Sequence, residues 1–580
     1  VLHLQLRDFQ KHKRKCREHG QATGLYGCLP TILASNQFRQ VTHSMRLSRG
    51  LLWGAVGVLA LPVLTVLASW GQWSAVSQAI LGEMASTVLP DYVSTSFWLC
   101  LWVSLGVVSL GSVSAALVTL FDFRGRRLLE WALLLPLAMP AYVVAYAYTD
   151  FLQFSGPAQS ALREAFGWQG RVLPDVRSLW GAACVFTLAL YPYVYLLARS
   201  ALAERATHLM EAARLLGAPL RRRIVQVALP LARPAIAAGT ALALMETLAD
   251  FGVSSYFGIQ TFTAGIYKAW LVMDNRIAAA QLATLLLMVV VAVLWVEQRA
   301  QSRMRFASGR GARTSSEAQP IRLRGAAEGM ALLLCGMPVL LGFVLPLAIM
   351  GHALLQSDEA VQLPWDRFPG WAFNSLKLGA ITAVLAVALA WLLAFQSRRA
   401  PGWSTRWAVQ LVGLGYAVPG AVIVVGLLLP VGWMQATWPQ TQVGYWMTAT
   451  VLGLVWAYLV RFVAVALQSV QSGYARVPAS LDDSARMLGV SGWGLLRRVH
   501  APLLKRSTAA ALLLVLVDVM KELPATLVLR PFNTDTLAVM AYQLARDERL
   551  GEAALPSLAL VLVGLLPVIL LSRTLRSPSS

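Results

Sequence analysis

Long apolar runs constrain the fold of this chain more than any other feature. A membrane-spanning helix needs about 20 consecutive, mostly apolar residues, and the sequence predicts twelve such spans. The runs are too long and too continuously apolar for barrel strands, so helices must satisfy the backbone hydrogen bonds inside lipid. We therefore predict an all-α polytopic membrane protein. The predicted spans are roughly residues 50–71, 93–121, 129–152, 178–202, 234–258, 277–297, 326–352, 373–397, 404–430, 444–469, 506–530 and 553–573.

Composition excludes the main soluble classes. Of the 580 residues, 57% are hydrophobic and only 13% are charged, whereas soluble domains carry about a quarter charged residues. The net charge of +21 would suit a nucleic-acid-binding protein, but the apolar excess would not. We predict a lipid bilayer and no nucleic acid among the partners.

The distribution of basic residues predicts the orientation of the spans. Lys and Arg gather in cytoplasmic loops of membrane proteins, and here basic loops alternate with loops poor in basic residues such as 72–92 and 353–372. This pattern predicts that both termini lie in the cytoplasm. The basic segments are 121–127, 203–233, 298–325, 396–406 and 470–506.

Four segments divide the chain. Residues 1–44 are polar and basic, and we interpret them as a tail or as translation upstream of a start at Met45. Residues 298–325 form a basic linker between a first half, 45–297, and a second half, 326–580. Each half holds six predicted spans, which indicates two pseudo-symmetric six-helix halves.

An internal repeat lies in the largest basic loop of each half. Residues 208–236 and 480–508 align without a gap, and the first copy predicts a helix that ends at Gly217 in a left-handed cap. One interpretation is a loop that docks on another protein, its acid and Arg fixing the register. The alternative is a helix resting on lipid headgroups, but one copy in each half favours docking. The aligned pairs are Glu211 with Asp483, Ala213 with Ala485, Arg214 with Arg486, Gly217 with Gly489 and Pro230 with Pro502.

The first loop carries a specific resemblance. Its Glu-Ala-Ala-x-x-x-Gly string, followed by a distant Leu-Pro, is similar to the EAA loop of binding-protein-dependent ABC importer permeases. The resemblance covers residues from Met45 to about Arg573 and implies a fused pair of type I permease halves whose loops are coupling helices for an ATPase. The second loop departs from the pattern, with Asp-Asp-Ser-Ala in place of Glu-Ala-Ala. The implied ATPase-coupling residues are Glu211, Ala212, Ala213, Arg214, Gly217, Pro230, Asp483, Ala485, Arg486, Gly489 and Pro502.

Two further strings bear on the cargo. Residues 191–202 and 244–270 resemble ferric-iron permeases of the FbpB/SfuB type. That resemblance implies a bacterial inner-membrane protein that receives Fe3+ from a periplasmic binding protein. A permease for thiamine, a phosphonate or a polyamine is an alternative. An ion-coupled secondary transporter with two repeats is another, but it would leave the two docking loops without a partner. No filter-like string indicates a channel.

The energy source is expected on another chain. The sequence contains no GxxxxGK[ST] phosphate-binding loop, so we predict a transport subunit that is not itself an enzyme and binds no cofactor. ATP and Mg2+ would be held by a separate cytoplasmic ATPase, present in two copies, one for each loop.

Four carboxylates lie inside the predicted spans. Glu246 and Asp250 are four residues apart, as are their repeat partners Asp518 and Glu522, and each pair is expected on one helix face. An ionisable group at mid-span costs about 2.5–3.5 kcal/mol on insertion scales, which indicates a partner or a function.

A translocation path is one role for these acids. Hard trivalent iron prefers oxygen ligands, and Tyr146 and Tyr193 are candidate neighbours of the acids along the path. The alternative is structural: pairing with Lys521, Arg199 or Arg461, or capping helices broken near Gly252 and Pro524. No metal ligand is assigned, because a path must release its cargo.

Overall fold

The described part of the chain is almost entirely helical. The structure is a computed structural model that describes residues 50, 52–71, 75–203, 207–308, 321–356, 364–490 and 492–575. Within these ranges the only strands are β1 (Phe121–Asp122) and β2 (Ile321–Arg322), which pair in parallel. The predicted tail 1–44 lies outside the described residues, as do residues 309–320 of the linker.

The helices of the two halves follow a common order. Those before the linker are α1 (Leu52–Gly71), α2 (Ala75–Thr87), α3 (Leu89–Leu120), α4 (Arg126–Ala132), α5 (Ala141–Leu152), α6 (Pro157–Phe166), α7 (Leu179–Ala201), α8 (Thr207–Leu215), α9 (Leu220–Arg223), α10 (Leu229–Ala249), α11 (Gly252–Phe257), α12 (Phe262–Tyr267) and α13 (Arg276–Ser308). Those after it are α14 (Ala326–Val339), α15 (Leu345–Gln356), α16 (Phe368–Arg399), α17 (Trp403–Gly413), α18 (Gly420–Thr437), α19 (Val443–Thr448), α20 (Val451–Tyr474), α21 (Ala479–Met487), α22 (Trp493–Leu495), α23 (Ala501–Lys521), α24 (Pro524–Leu529), α25 (Leu537–Arg546) and α26 (Leu550–Leu575).

The all-α polytopic membrane fold is confirmed. In the described part of the chain, 10 helices are long and apolar enough to cross a membrane, and a pair bent by 90° at Met139–Pro140 makes 11 if it counts as one span. The predicted span 506–530 does not meet this criterion, because α23 carries charged residues near both ends, Lys505 and Arg506 at one and Asp518 and Lys521 at the other. The span predicted to end at 297 continues as α13 to Ser308.

Two predicted spans are broken at prolines. Within the predicted span 129–152 the chain turns at Pro140 (ψ 140°), where a proline is expected to kink a helix, before α5 begins. The same break occurs at Pro419 (ψ 141°), between residues 404–413 and α18. Proline has no amide hydrogen to continue a helix and keeps the preceding residue extended, so each break has a local cause.

Two more predicted spans are broken at acids. α10 ends at Ala249 and α23 ends at Lys521, and the next residues, Asp250 (ψ 137°) and Glu522 (ψ 121°), are extended. The expectation that Glu246 and Asp250 share one helix face is therefore wrong, as it is for Asp518 and Glu522. The cause is local, because each acid turns the chain out of one helix and caps the next.

The internal repeat extends through the helices. Four of the five helices from α7 to α11 begin 272 residues before their counterparts from α20 to α24, as Thr207 and Ala479 illustrate, and the short α9 begins 273 residues before α22. The core of the first half is α3, α7 and α10, and that of the second is the corresponding α16, α20 and α23. The shared helix order confirms the prediction of two pseudo-symmetric halves.

Each half forms a hydrogen bond with the first membrane span of the other half. Within the contact unit formed by residues 56–580, the Trp456 indole of the second half donates to the Val58 carbonyl of α1 at 3.0 Å. Reciprocally, the Tyr148 hydroxyl of the first half donates to the Leu341 carbonyl, between α14 and α15, at 2.6 Å. These bonds indicate that the two halves form one membrane unit.

A glycine in α10 permits close helix packing. A Cβ added at Gly239 would lie 2.7 Å from the Val194 Cα and 2.9 Å from the Tyr193 carbonyl oxygen, both backbone atoms of α7. We expect Gly239→Ala to reduce the free energy of unfolding by about 1–3 kcal/mol, because overpacking forces the helices apart. Thermal unfolding of the purified protein in detergent measures this. The matched control is Gly336→Ala in α14, where nothing lies within 4 Å of the added Cβ; equal losses in the two variants would contradict the packing argument.

Candidate docking loops and central cavity

The two repeat loops have the same backbone geometry. α8 and α21 each end at a glycine in the left-handed region, Gly217 with φ 77° and Gly489 with φ 79°. Each glycine amide donates to the carbonyl three residues earlier at 3.0 Å, and the next amide donates to the carbonyl five residues earlier at 3.0 or 2.9 Å. This is the Schellman arrangement. The cap predicted at Gly217 is confirmed, and Gly489 repeats it.

An exposed apolar pair precedes each of these glycines. Leu215 and Leu216 are 86% and 88% exposed, and the aligned Met487 and Leu488 are 89% and 83% exposed. Exposed apolar patches are typical of surfaces that contact another protein or a membrane, and the pair occurs in both copies of the loop. The predicted coupling residues do not include these four, although they occupy the same positions in both copies of the repeat.

The predicted coupling residues differ in their surroundings. Glu211 and Arg214 are exposed on α8, while Asp483 and Arg486 form an exposed ion pair at 3.0 Å that adds little stability. The remaining positions comprise exposed or half-buried Ala212, Ala213, Gly217, Pro230, Gly489 and Pro502, and buried Ala485. Ala485 packs on Phe395, Leu495 and Leu496. The role of all these residues in docking stays a prediction.

A buried polar network fixes the second loop alone. The Arg398 guanidinium at the end of α16 donates to both Asp482 carboxylate oxygens, at 2.7 and 3.0 Å. The His500 Nε2 lies 3.0 Å from Asp482 Oδ1, and the Tyr474 hydroxyl lies 3.1 Å from His500 Nδ1. In the first half, the positions aligned with Asp482 and His500 hold Met210 and Ala228, so this network has no equivalent there.

Charge stabilises the Asp482 carboxylate. Burial alone would raise the pKa of Asp482, but the hydrogen bonds and charges of Arg398 and His500 outweigh burial and lower the pKa below its ordinary value of 3.8. A lowered pKa means that the carboxylate stabilises the folded state at neutral pH. This contribution is lost only as the pH falls below 3.8 through the folded-state pKa.

Asp482→Ala should therefore loosen the second loop. We expect a loss of about 3 kcal/mol in the free energy of unfolding at neutral pH, because Arg398 keeps a buried charge without its partner. The neighbouring Asp483→Ala, whose side chain is 72% exposed, should change stability by less than about 0.5 kcal/mol. Thermal unfolding of both variants is the measurement. Equal destabilisation by the two variants would contradict a specific role for the network.

The helix breaks of both halves surround a central cavity of about 190 Å³. All four predicted acids and Tyr193 line it. Tyr146 does not: it packs behind Tyr142, with ring centroids 5.7 Å apart, and Tyr142 lines the cavity instead. The other polar lining residues are Tyr416, Arg461 and Lys521.

Two of the four acids cap short helices. The Asp250 carboxylate accepts the amides of Val253 and Ser254 at 2.9 and 3.4 Å. The Glu522 carboxylate accepts the amides of Ala525 and Thr526 at 2.9 and 3.0 Å, and the Thr526 hydroxyl at 2.7 Å. The structural alternative stated for these two residues, capping of broken helices, is realised.

The other two acids keep fewer bonds. Glu246 lies 3.5 Å from the Arg461 guanidinium, which is also 4.0 Å from Glu522. Lys521, on the same helix as Asp518, donates instead to the Leu137 carbonyl at 3.1 Å. Arg199, the other partner considered, pairs with Glu130. Among the described residues no three His, Cys, Asp or Glu side chains converge closely enough to hold a metal ion.

Comparison with known proteins identifies the family. Residues 107–306 and again 386–576 match the family described as binding-protein-dependent transport system inner membrane component. The chain belongs to this family. The two matches cover more than half of the chain; the first ends within the linker 298–325 and the second begins after it. The protein is thus a fused, multi-pass permease subunit of an ABC importer in the inner membrane, not an enzyme, and its family implies ATPase and binding-protein partners.

Three relatives are permeases, and two of them are named for a cargo. The Fe(3+)-transport system permease protein FbpB 2 of Haemophilus influenzae is 24% identical over 84% of this chain and 90% of its own. A protein of Sinorhizobium fredii named "Probable ABC transporter permease protein y4fN" is 24% identical over 93% of this chain and 100% of its own. A permease named for 2-aminoethylphosphonate transport, PhnU of Salmonella paratyphi A, is 25% identical over 44% of this chain and 92% of its own.

Proposed function

We propose that this permease carries ferric iron across the inner membrane. The central cavity supports this proposal most directly, because carboxylates from both halves and the phenols of Tyr142, Tyr193 and Tyr416 line one space. Oxygen donors of this kind suit a hard trivalent cation. The likeness to the iron permease of Haemophilus influenzae extends over 84% of the chain and agrees with this cargo.

The cavity suits transit better than storage. The carboxylates are spread around the wall, and Asp250 and Glu522 are already bonded to helix amides. A cation passing through meets few ligands at once and can leave again, as a transport path requires. Glu246, Asp518 and Tyr193 are the predicted path residues that remain for cargo, whereas Tyr146 is set back from the cavity.

The two docking loops would couple ATP hydrolysis by the ATPase to transport by the permease. Each exposes an apolar pair beside basic residues, and the basic loops belong in the cytoplasm by the positive-inside rule. We infer that the halves 45–297 and 326–580 each bind one ATPase copy, so two copies act on one chain, with both chain termini cytoplasmic. ATP and Mg2+ bind the ATPase, and the permease binds no cofactor. A periplasmic binding protein delivers iron to the opposite face.

Uptake of radioactive iron tests this proposal. The permease, its ATPase and the iron-loaded binding protein are reconstituted in proteoliposomes, and iron accumulation is followed with ATP or with a non-hydrolysable analogue. The proposal expects accumulation only with ATP and binding protein together. ATP-driven uptake of another cargo without any uptake of iron would overturn the iron assignment.

A phosphonate is the second candidate cargo. Two cations, Arg461 and Lys521, line the cavity, and cationic side chains bind phosphonate oxygens. The phosphonate-transport relative from Salmonella paratyphi A is consistent with this choice. Labelled 2-aminoethylphosphonate in the same proteoliposomes separates the two candidates, because uptake of one without the other selects the cargo.

A further inference from the structure

The cavity wall holds a buried arginine with weak bonds. Arg461 on α20 is only 9% exposed, yet its nearest acids lie at 3.5 Å (Glu246) and 4.0 Å (Glu522). Its Nε has no hydrogen-bond partner among the described residues. The same structure holds a short ion pair elsewhere, Arg398 with Asp482 at 2.7 Å. Arg461 therefore sits near its acids without being locked to them.

Glu246 is the acid that depends on Arg461. The oxygens of Glu522 already accept two backbone amides and a hydroxyl, so Arg461 adds little there. Among the described residues, the only hydrogen bond to the Glu246 carboxylate is the long one from Arg461. That bond also crosses the molecule, because Glu246 belongs to α10 of the first half and Arg461 to α20 of the second.

A second polar group in the same wall lacks a partner. The Tyr142 hydroxyl is buried, with the residue only 5% exposed, and has no hydrogen-bond partner in the described structure. A buried hydroxyl left unpaired costs about 1–3 kcal/mol. The Tyr142 hydroxyl and the Arg461 Nε are thus two polar groups of the cavity wall that have no protein partner among the described residues.

We propose that Arg461 is an internal counter-ion whose place beside Glu246 is taken by cationic cargo. This inference rests on the proposed cation transport. A monovalent cation gains no more from Glu246 than Arg461 already does, whereas a trivalent cation gains about three times as much at the same distance. Arg461 thereby selects highly charged cargo, and its return to Glu246 favours release. It acts as a specificity-determining residue.

Binding of Tb3+, a hard trivalent probe, tests this exchange. The purified permease–ATPase complex is titrated with Tb3+, and sensitised luminescence from nearby Tyr and Trp residues reports binding. Removing the competing charge in Arg461→Gln should tighten the apparent Kd at least about tenfold. The gain should disappear in the double variant Arg461→Gln, Glu246→Gln. Arg406→Gln, which removes the same charge from an exposed position on α17, controls for binding elsewhere.

Two results would overturn the counter-ion proposal. One is an unchanged Kd for Tb3+ in Arg461→Gln, and the other is a tighter Kd that persists in the double variant. Should Arg461→Gln fail to fold, Glu246→Gln alone serves, because it keeps the arginine but removes its acid. The proposal then expects Tb3+ binding to weaken at least about tenfold, and unchanged binding contradicts it. Iron uptake by the unaltered complex is a separate readout. If Arg461→Gln tightened Tb3+ binding but the unaltered complex took up no iron, the counter-ion proposal would be supported and iron would be overturned as the cargo.

Discussion

Exchanging Leu216 and Leu488 for aspartate should abolish ATPase recovery and transport together. These residues are 88% and 83% exposed and stand immediately before the left-handed glycines of the two docking loops. An ATPase surface that covers them must be apolar, and burying an unpaired carboxylate there costs several kcal/mol. We expect at least about a hundredfold loss of affinity per loop, measured by co-purification of the ATPase with the tagged permease.

The matched control is Phe532→Asp. Phe532 is 93% exposed but lies between α24 and α25, away from both docking loops, and its replacement should leave ATPase recovery unchanged. The charge-reversing pair Glu211→Arg with Asp483→Arg should also block docking while the permease stays in the membrane. Normal ATPase recovery with either double variant would contradict the docking role of the loops.

The cavity acids should separate into two classes when neutralised. Glu246→Gln combined with Asp518→Asn should reduce iron uptake at least about tenfold while lowering the free energy of unfolding by less than about 1 kcal/mol, because neither acid bonds to a helix amide. Unlike Arg398 in Asp482→Ala, Arg461 loses only a long bond at 3.5 Å and keeps Glu522 at 4.0 Å. Glu522→Ala should cost about 3 kcal/mol, because two amides and a hydroxyl lose a charged acceptor. Asp250→Ala should cost about 1–2 kcal/mol as the loss of a helix cap.

Uptake assays and thermal unfolding of the same preparations measure both properties. The control is Glu164→Gln on α6, an exposed acid outside the cavity, which should change neither property. The division would be contradicted if Glu246→Gln with Asp518→Asn unfolded the protein, or if it carried iron at the normal rate.

Much of the architecture was predictable from the sequence, because the determining signals are local. Apolar runs predict where helices lie in a membrane, and the aligned acid, arginine and glycine predicted one docking loop in each half. The cap at Gly217 followed from the conformational freedom of glycine, and the structure repeats it at Gly489. Because the repeat keeps nearly the same spacing over several helices, the second half is expected to fold like the first.

The helix breaks were harder to predict. Hydropathy runs without interruption through Asp250 and Glu522, so it predicted continuous spans where α10 and α23 in fact end. The resulting turn separates each acid from the one four residues earlier. The break at Pro140 lies where a proline is expected to kink a helix, but which of the following tyrosines reaches the cavity was not predictable: Tyr142 lines it and Tyr146 does not.

Most contacts between distant segments were not predictable from the sequence, which offered Arg461 as one of three partners for the four acids without indicating which acid it would meet. Arg398 and Asp482 are 84 residues apart, and Arg461 and Glu246 are 215 apart. No spacing rule joins such pairs, since only the packed helices bring them together. The asymmetry between the docking loops arises from the same cause, because Met210 occupies the position of Asp482 in the first half.

The stoichiometry of the purified complex tests the central claim most directly. If the two docking loops of one chain are equivalent sites, native mass spectrometry of the intact complex should give one permease chain with two ATPase chains. Leu488→Asp alone should leave one ATPase chain on each permease. A complex of two permease chains with two ATPase chains, or a single ATPase on the unaltered permease, would contradict the account of one chain as a complete pair of halves.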